Sequence, residues 1–129
     1  MCNFCNREDQ SISHLLVECE FVKVFWEHFQ KNIIDKCQHV HNMNIDKEII
    51  LFGVKNNFVS DNVMDLLILY AKFFIYKSKL SNTIPTFPAF ENFVKYRYNI
   101  DKYSAIVNSK IDHFRAKWAP YNFLLEQAM

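Results

Sequence analysis

The sequence has very little glycine, since Gly53 is the only one in 129 residues. Sandwiches and barrels need glycine in their many tight turns. Phosphate-binding loops of the G-x-G-x-x-G and G-x-x-x-x-G-K-[ST] types need at least two glycines. The composition therefore excludes an all-β fold and a glycine-rich nucleotide loop. Half of the residues are hydrophobic and 16% are aromatic, so the chain can bury a core and is not disordered.

The sequence also lacks a long hydrophobic run. Its most apolar stretch, 63–76, is shorter than a bilayer span and carries Asp65 and Lys72. The first residues do not follow the pattern of a secretory signal peptide. We expect an intracellular protein without membrane contact, in the cytoplasm or the nucleus. The four cysteines would then lie in a reducing compartment, where metal binding is more common than disulfides.

The sequence has little net charge, only +1, but the two signs are unevenly distributed along it. Residues 1–50 hold five Lys/Arg and eight Asp/Glu, whereas 51–129 hold ten and six. Within 72–117 the count is nine basic and three acidic residues. The sequence therefore predicts an acidic front and a basic rear.

The hydrophobic pattern predicts helices and no strands. Residues 21–36 have apolar side chains at three- and four-residue spacing: Val22, Phe25, Trp26, Phe29 and Ile33. Residues 63–79 are apolar around most of their surface, which predicts a helix in the middle of the fold. Its stripe consists of Val63, Leu66, Leu67, Tyr70 and Phe74. The segment 46–54 is predicted as one or two helical turns or a short strand, ended by Gly53.

The most regular region extends from Phe90 to Trp118, with Pro88 at its start and Pro120 at its end. Asn99 and Asp101 are the candidate points at which it divides into two helices. The predicted fold class is all-α: a small helical bundle with an N-terminal zinc knuckle. We expect the knuckle at 1–20 and the bundle at 21–129, packed together as one structural unit.

The sharpest motif is Cys2-x2-Cys5-x8-His14-x4-Cys19. Three thiolates and one imidazole form a closed tetrahedral ligand set, which is typical of structural zinc. Ser11 is a good N-cap three residues before His14, so a helix that begins there holds His14 in its first turn. We expect one structural Zn²⁺ held by these four residues, with no position left for a catalytic water.

Two alternatives remain for the cysteines: a disulfide framework that includes Cys37, or a cluster of buried thiols without metal. We expect Cys37 to be a partly buried thiol outside the ligand set. The other histidines are predicted to be surface or packing residues: His28, His39, His41 and His113. A weak chelate by His39 and His41, two residues apart in a loop, is the alternative for that pair.

The residues around this motif resemble the zinc-binding segment at the C-terminal end of the polyprotein of non-LTR retrotransposons (LINE elements). The resemblance lies in Cys2, Cys5, the block 10–19 and the pair Phe25–Trp26. That family has an acidic residue and Thr where this chain has Gln10 and Ser11. The rear of the chain is also similar to animal members of the family, in 71–75, Lys102–Tyr103, Phe114, Trp118 and Pro120.

The resemblance implies a C-terminal accessory domain of a LINE-type reverse transcriptase. Such a domain is thought to bind nucleic acid, chiefly the element's RNA, in support of target-primed reverse transcription. The polymerase is not in this chain, which lacks the family's Ala-Asp-Asp core and is too short for palm and fingers. We therefore expect no enzymatic activity and no small-molecule substrate. The expected partners are RNA or single-stranded nucleic acid and the rest of the polyprotein.

Two functions from different classes are compatible with the sequence. If 90–118 is one continuous helix, Lys95, Lys102, Lys110 and Lys117 fall within about 80° of one another and opposite the apolar seam. Such lysines suit phosphates, and Tyr98 beside them suits an unpaired base. The alternative is a structural module that docks on the polymerase without touching nucleic acid. Its interface would contain the excess aromatic residues: Phe25, Trp26, Phe73, Tyr76 and Tyr121.

Overall fold

The computed structural model describes residues 2, 4–6, 11–37, 44–52 and 62–125. Within these ranges the chain is helical and contains no strand, which confirms the all-α prediction. The helices are α1 (Glu20–Phe29), α2 (Lys47–Phe52), α3 (Asn62–Leu80), α4 (Phe87–Val107), α5 (Ile111–Trp118) and α6 (Asn122–Leu125). Two π-helical turns flank α1, the first π turn at His14–Glu18 and the second at Gln30–Ile34. A 3₁₀ turn, Ala119–Tyr121, joins α5 to α6.

An aromatic cluster joins α1, α3 and α4 in the middle of the fold. The Phe25 ring lies 5.3 Å from the Phe90 ring, 6.1 Å from Phe74 and 6.3 Å from Phe87, centroid to centroid. Phe29 packs on Phe90 at 5.9 Å. These edge-on and tilted pairs are favourable aromatic geometries. The predicted apolar stripe of α1 is fully buried, so the 3.6-residue period located this face correctly.

Helix α3 matches the prediction at both ends within one residue, although only one side of it is covered. Val63, Leu67 and Tyr70 are buried, as the predicted stripe requires, and Leu66 and Phe74 are partly buried. The opposite side of the helix is exposed. Among the described helices, none combines the length and the hydrophobicity needed to cross a bilayer.

The short helix α2 resolves the choice between helix and strand for the segment that follows Asn44. Asp46 caps it, because its carboxylate accepts a hydrogen bond from the Ile49 N–H at 2.9 Å. Gly53, which was predicted to end this segment, lies outside the described residues.

The predicted division of the C-terminal helical region at Asn99 and Asp101 is wrong. Both residues lie inside α4, which continues to Val107. A single exposed Asn or Asp costs a helix only about 0.7 kcal/mol, and packing of the flanking turns outweighs that cost. The three- and four-residue apolar spacing that made this region the most regular does not mark a buried face in its middle, where Ile100 and Val107 are 40% and 63% exposed.

The break occurs instead at Asn108–Lys110, in a turn closed by two backbone hydrogen bonds. Ser109 has φ 57°. Its N–H donates to the Ile106 carbonyl at 3.1 Å, and the Lys110 N–H donates to the Ala105 carbonyl at 2.7 Å. This is the Schellman pattern, in which a left-handed residue ends the helix. The chain therefore changes direction here, and α5 begins with a new phase.

Candidate metal centre

The N-terminal ligands lie on a tight turn that is anchored in the core. The Asn6 N–H donates to the Cys2 carbonyl at 2.9 Å and closes the turn. Asn6 adopts φ 57°, the left-handed conformation that Asn tolerates better than most residues. Between the two cysteines Phe4 is buried, 6% exposed. Its ring fixes the turn on the bundle, a role that sequence reasoning missed.

The other two ligands lie on a helical segment that begins at Ser11. The Ser11 hydroxyl accepts a hydrogen bond from the His14 N–H at 3.0 Å, which confirms the predicted N-cap. The Cys19 N–H then donates to the His14 carbonyl at 2.9 Å. This i→i+5 bond is the π pattern, and it places Cys19 one turn above His14. The π turn was not predicted, because no residue type is specific for it.

The four predicted ligands are brought together in the structure. One ligand atom from each of Cys2, Cys5, His14 and Cys19 lies within 4.8 Å of the other three. The Cys2 and Cys19 sulfurs are 3.8 Å apart, and the Cys5 Sγ lies 3.4 Å from His14 Nε2. Cys37 is buried but is not a member of this cluster.

Two of the ligand–ligand distances match the edges of a tetrahedral ion, and the others are at most 4.8 Å. With metal–sulfur bonds of about 2.3 Å and metal–nitrogen bonds of about 2.0–2.1 Å, sulfur–sulfur edges are about 3.8 Å and sulfur–nitrogen edges about 3.6 Å. The four cysteines occur as thiols and not as disulfides, so the disulfide framework is not the arrangement in this structure. The four residues are therefore positioned to hold a metal ion.

Burial affects the charge state of this cluster, most clearly at Cys19. Cys2 and Cys19 have no exposed surface and His14 is 7% exposed. Burial is the main reason that the pKa of the Cys19 thiol stands at about 11 instead of 9.0, against backbone hydrogen bonds at Phe21 and Val22 that lower it. A bound divalent cation deprotonates a coordinating thiol outright. An ion would therefore supply the charge that the buried thiolates require.

A tryptophan connects this cluster to α1. The Trp26 indole N–H donates to the Leu16 carbonyl at 2.7 Å. Leu16 belongs to the first π turn. The Trp of the predicted Phe25–Trp26 pair therefore holds the ligand-bearing turn in place.

The proposed nucleic-acid residues do not lie on one helix. Lys95 and Lys102 are half-buried on α4, two turns apart; Lys110 is exposed at the turn; Lys117 is exposed on α5. The single helical projection that grouped all four is therefore wrong at Asn108–Lys110. Lys95 and Lys102 form one pair on α4, and Lys110 and Lys117 form a second pair at the turn and on α5. Both pairs belong to the basic rear of the chain.

Tyr98 packs inside the fold. Its ring lies 5.1 Å from Phe114 and 5.3 Å from Trp118, centroid to centroid. The ring therefore joins α4 to α5 and does not present a free face for a base. Two other tyrosines of α4, Tyr96 and Tyr103, are 63% and 70% exposed.

The aromatic residues predicted for a docking interface separate into two groups. Phe25, Trp26 and Tyr121 are buried in the core, between 1% and 4% exposed. Phe73 and Tyr76, both on α3, are about half exposed. His39 and His41, the predicted alternative chelate, lie outside the described residues.

Comparison with protein-family models, with curated proteins and with solved structures finds no match for this chain.

Proposed function

We propose that this chain is an accessory domain that is stabilised by a structural zinc ion and binds nucleic acid. Its place would be the C-terminal end of a LINE-type reverse transcriptase polyprotein, where it supports target-primed reverse transcription by holding the element's RNA. The role is not catalytic, because four protein ligands fill a tetrahedral shell and leave no position for a reacting water. The observation that carries the proposal is the closed cluster of three sulfurs and one imidazole nitrogen.

Zinc is the ion that this donor set favours. Tetrahedral sites of soft sulfur and imidazole ligands select Zn²⁺ over Mg²⁺ or Ca²⁺, which prefer oxygen. Burial of the ligands and the anchoring by Phe4 and Trp26 are typical of a structural site. The same ligand order is the part of the sequence that resembles the LINE segment.

The basic rear supports the choice of nucleic acid as partner. Across α4 and α5, from 87 to 118, there are six Lys/Arg and three Asp/Glu. One of the three carboxylates, Asp101, accepts a hydrogen bond from the Tyr70 hydroxyl at 2.8 Å. Lys110 and Lys117 are exposed, and cationic side chains on a surface bind phosphates by releasing counterions.

Native mass spectrometry tests the metal. The full chain should carry one zinc ion, with the loss of three thiol protons. Cys5→Ser should abolish the bound ion, and Cys37→Ser should retain it, because Cys37 is outside the cluster. A metal-free folded chain, or zinc that survives Cys5→Ser, contradicts the assignment.

A salt titration of single-stranded RNA binding tests the partner. If four lysines touch phosphates, the log–log salt slope should be about −3, from roughly −0.7 per contact. Lys102→Ala with Lys110→Ala should weaken binding uniformly across sequences and reduce the slope by about 1.4. The matched control is Lys31→Ala with Lys36→Ala, in the acidic front. It should change neither the affinity for RNA nor the salt slope. If both pairs behave alike, the lysines of the rear are only a solvated surface.

A further inference from the structure

Helix α3 carries an exposed apolar stripe on the side away from the core. Leu69, Phe73, Tyr76 and Leu80 are between 46% and 59% exposed. Their spacing of four, three and four residues puts them within an arc of about 60° and along about 16 Å of the helix. Monomeric proteins scatter exposed apolar residues singly, so a continuous stripe of three turns indicates a contact surface.

The stripe is one wall of a groove. The first π turn and the residues before it form the other wall, with Ser11, Ile12, Leu15 and Leu16. The groove has a volume of about 520 Å³. Ile12 is 74% exposed at its edge. A groove between two helical segments, lined mainly by aliphatic and aromatic side chains, has the shape that accepts a third helix.

Lysines flank the stripe on both sides. Measured around the helix axis from Leu69 at 100° per residue, Lys72 and Lys79 lie about 60° and 80° to one side, and Lys77 lies about 80° to the other side. The Lys77 ammonium lies 5.9 Å from the centre of the Phe73 ring, and the Lys79 ammonium lies 5.6 Å from that of Tyr76. Asp65 is the only acidic residue of α3. Lys72 and Lys79 line the groove and Lys77 borders the stripe on its other side, so the stripe has positive charge on both sides.

We propose that this groove docks one amphipathic helix of a partner protein, whose apolar side is bordered by Asp and Glu. The spacing of the stripe equals the a/d pattern of helix pairs, and the three lysines occupy the flanking e/g positions. Acidic residues in the partner would meet these lysines. A second copy of this chain is a poor occupant, because the flanking lysines of the two copies would face each other with like charge.

Nucleic acid fits this groove less well. Leu69, Leu80 and Ile12 offer no flat face for a base to stack on. Two ring faces that a base would use are covered by Lys77 and Lys79. The lining residues of the groove belong to 11–16 and α3 and not to α4 or α5, so the groove can be tested without altering the lysines of those two helices.

The test uses the zinc-loaded full chain and two designed amphipathic peptides of about three heptads. Both have leucine at the apolar positions; one has glutamate at the flanking positions and the other has lysine there. Fluorescence anisotropy should show that the glutamate peptide binds at least about tenfold more tightly than the lysine peptide. Each pair of a partner glutamate with a lysine of α3 should raise the affinity roughly twofold. Amide shifts in NMR should be confined to 11–16 and 65–80.

Charge reversal identifies the surface. Lys72→Glu with Lys77→Glu and Lys79→Glu should invert the preference between the two peptides. The matched control, Lys23→Glu with Lys31→Glu and Lys36→Glu at exposed positions outside α3, should leave the preference unchanged. Leu69 and Leu80 are exposed and do not contribute to the core. Leu69→Ala with Leu80→Ala should therefore weaken the binding of both peptides.

Three results overturn the proposal. The first is equal affinity for the two peptides, or no binding of either. The second is a preference that survives reversal of the three groove lysines. The third is binding of single-stranded RNA that is lost in the groove variant and kept in the control, which would make the groove a nucleic-acid site.

Discussion

Tyr70 links α3 to α4 through its hydroxyl. The hydroxyl donates to Asp101 Oδ2 at 2.8 Å, and the Arg97 guanidinium lies 5.8 Å from the centre of the tyrosine ring. Burial first, and then the hydrogen bond and charge of Asp101, raise the pKa of Tyr70 above its ordinary value of 10.0. A neutral hydroxyl between the helices is therefore part of the folded state.

This arrangement predicts a loss of stability at alkaline pH. A pKa that is raised on folding adds stability below about pH 10, and this contribution disappears as the pH rises through the folded-state pKa. Urea unfolding at neutral and alkaline pH should show a smaller alkaline loss in Tyr70→Phe than in the unchanged chain. Tyr103→Phe, at an exposed position of α4, should behave like the unchanged chain. An equal loss in both variants would mean that Tyr70 ionises freely.

At the scale of the elements, helices α3 and α4 end without glycine. Asn82 ends α3 with φ 55°, and Ser109 ends α4 with φ 57°. At both ends the left-handed residue and its successor donate to carbonyls of the last turn. Residues other than glycine are strained in this conformation, Asn less than most.

Glycine at Ser109 should therefore stabilise the protein. The gain from Ser109→Gly is expected to be roughly 0.5–1 kcal/mol, after the greater freedom of glycine in the unfolded chain is counted. Ser104→Gly, inside α4, is the matched control and should cost roughly 0.5 kcal/mol. Urea midpoints with an unchanged slope measure both. Destabilisation by Ser109→Gly would indicate that the helix continues through the turn.

The same turn shows where sequence reasoning reached its limit. The stripe of α1 could be predicted because every turn of that helix faces the same core. Across Asn108–Lys110 the apolar residues keep a three- and four-residue spacing although the helix has ended, so periodicity alone could not reveal the break. Asn108 followed by Ser109 was the local signal, since Asn and Ser replace glycine at helix ends in this chain. The metal ligands were predictable because coordination chemistry fixes residue types.

At the scale of the whole molecule, one core contains both the ligand cluster and the bundle. Cys2, Phe4, Leu15 and Cys19 are buried in the same cluster of side chains that extends to Leu124. The aromatic centre of α1, α3 and α4 does not include the ligands, however. The N-terminal segment thus packs on the bundle and would be stabilised further by a bound ion, whereas the bundle has an aromatic core of its own.

Removal of zinc should therefore unfold the N-terminal segment and spare the helices. Structural zinc contributes roughly 10–16 kcal/mol of apparent binding free energy in zinc-finger peptides, and residues 1–19 have little core without it. Chelation, or Cys5→Ser, should remove hydrogen-exchange protection from these residues while far-UV helicity stays mostly intact. In a Trp118→Phe background, Trp26 fluorescence should shift to the red, because its hydrogen bond to Leu16 is lost. Complete unfolding on chelation would show that the bundle does not stay folded without the zinc-bound N-terminal segment.

The first π turn also has a consequence for chain length. An i→i+4 turn would join two ligands separated by three residues, and this i→i+5 turn joins His14 and Cys19 across four. The π turn thus contains one residue more than an α turn, while His14 and Cys19 keep their relative positions. Deletion of a single residue here, which would convert the π turn into an α turn, is compatible with the same centre. A pattern that fixes this spacing at one value would fail to recognise chains that share it.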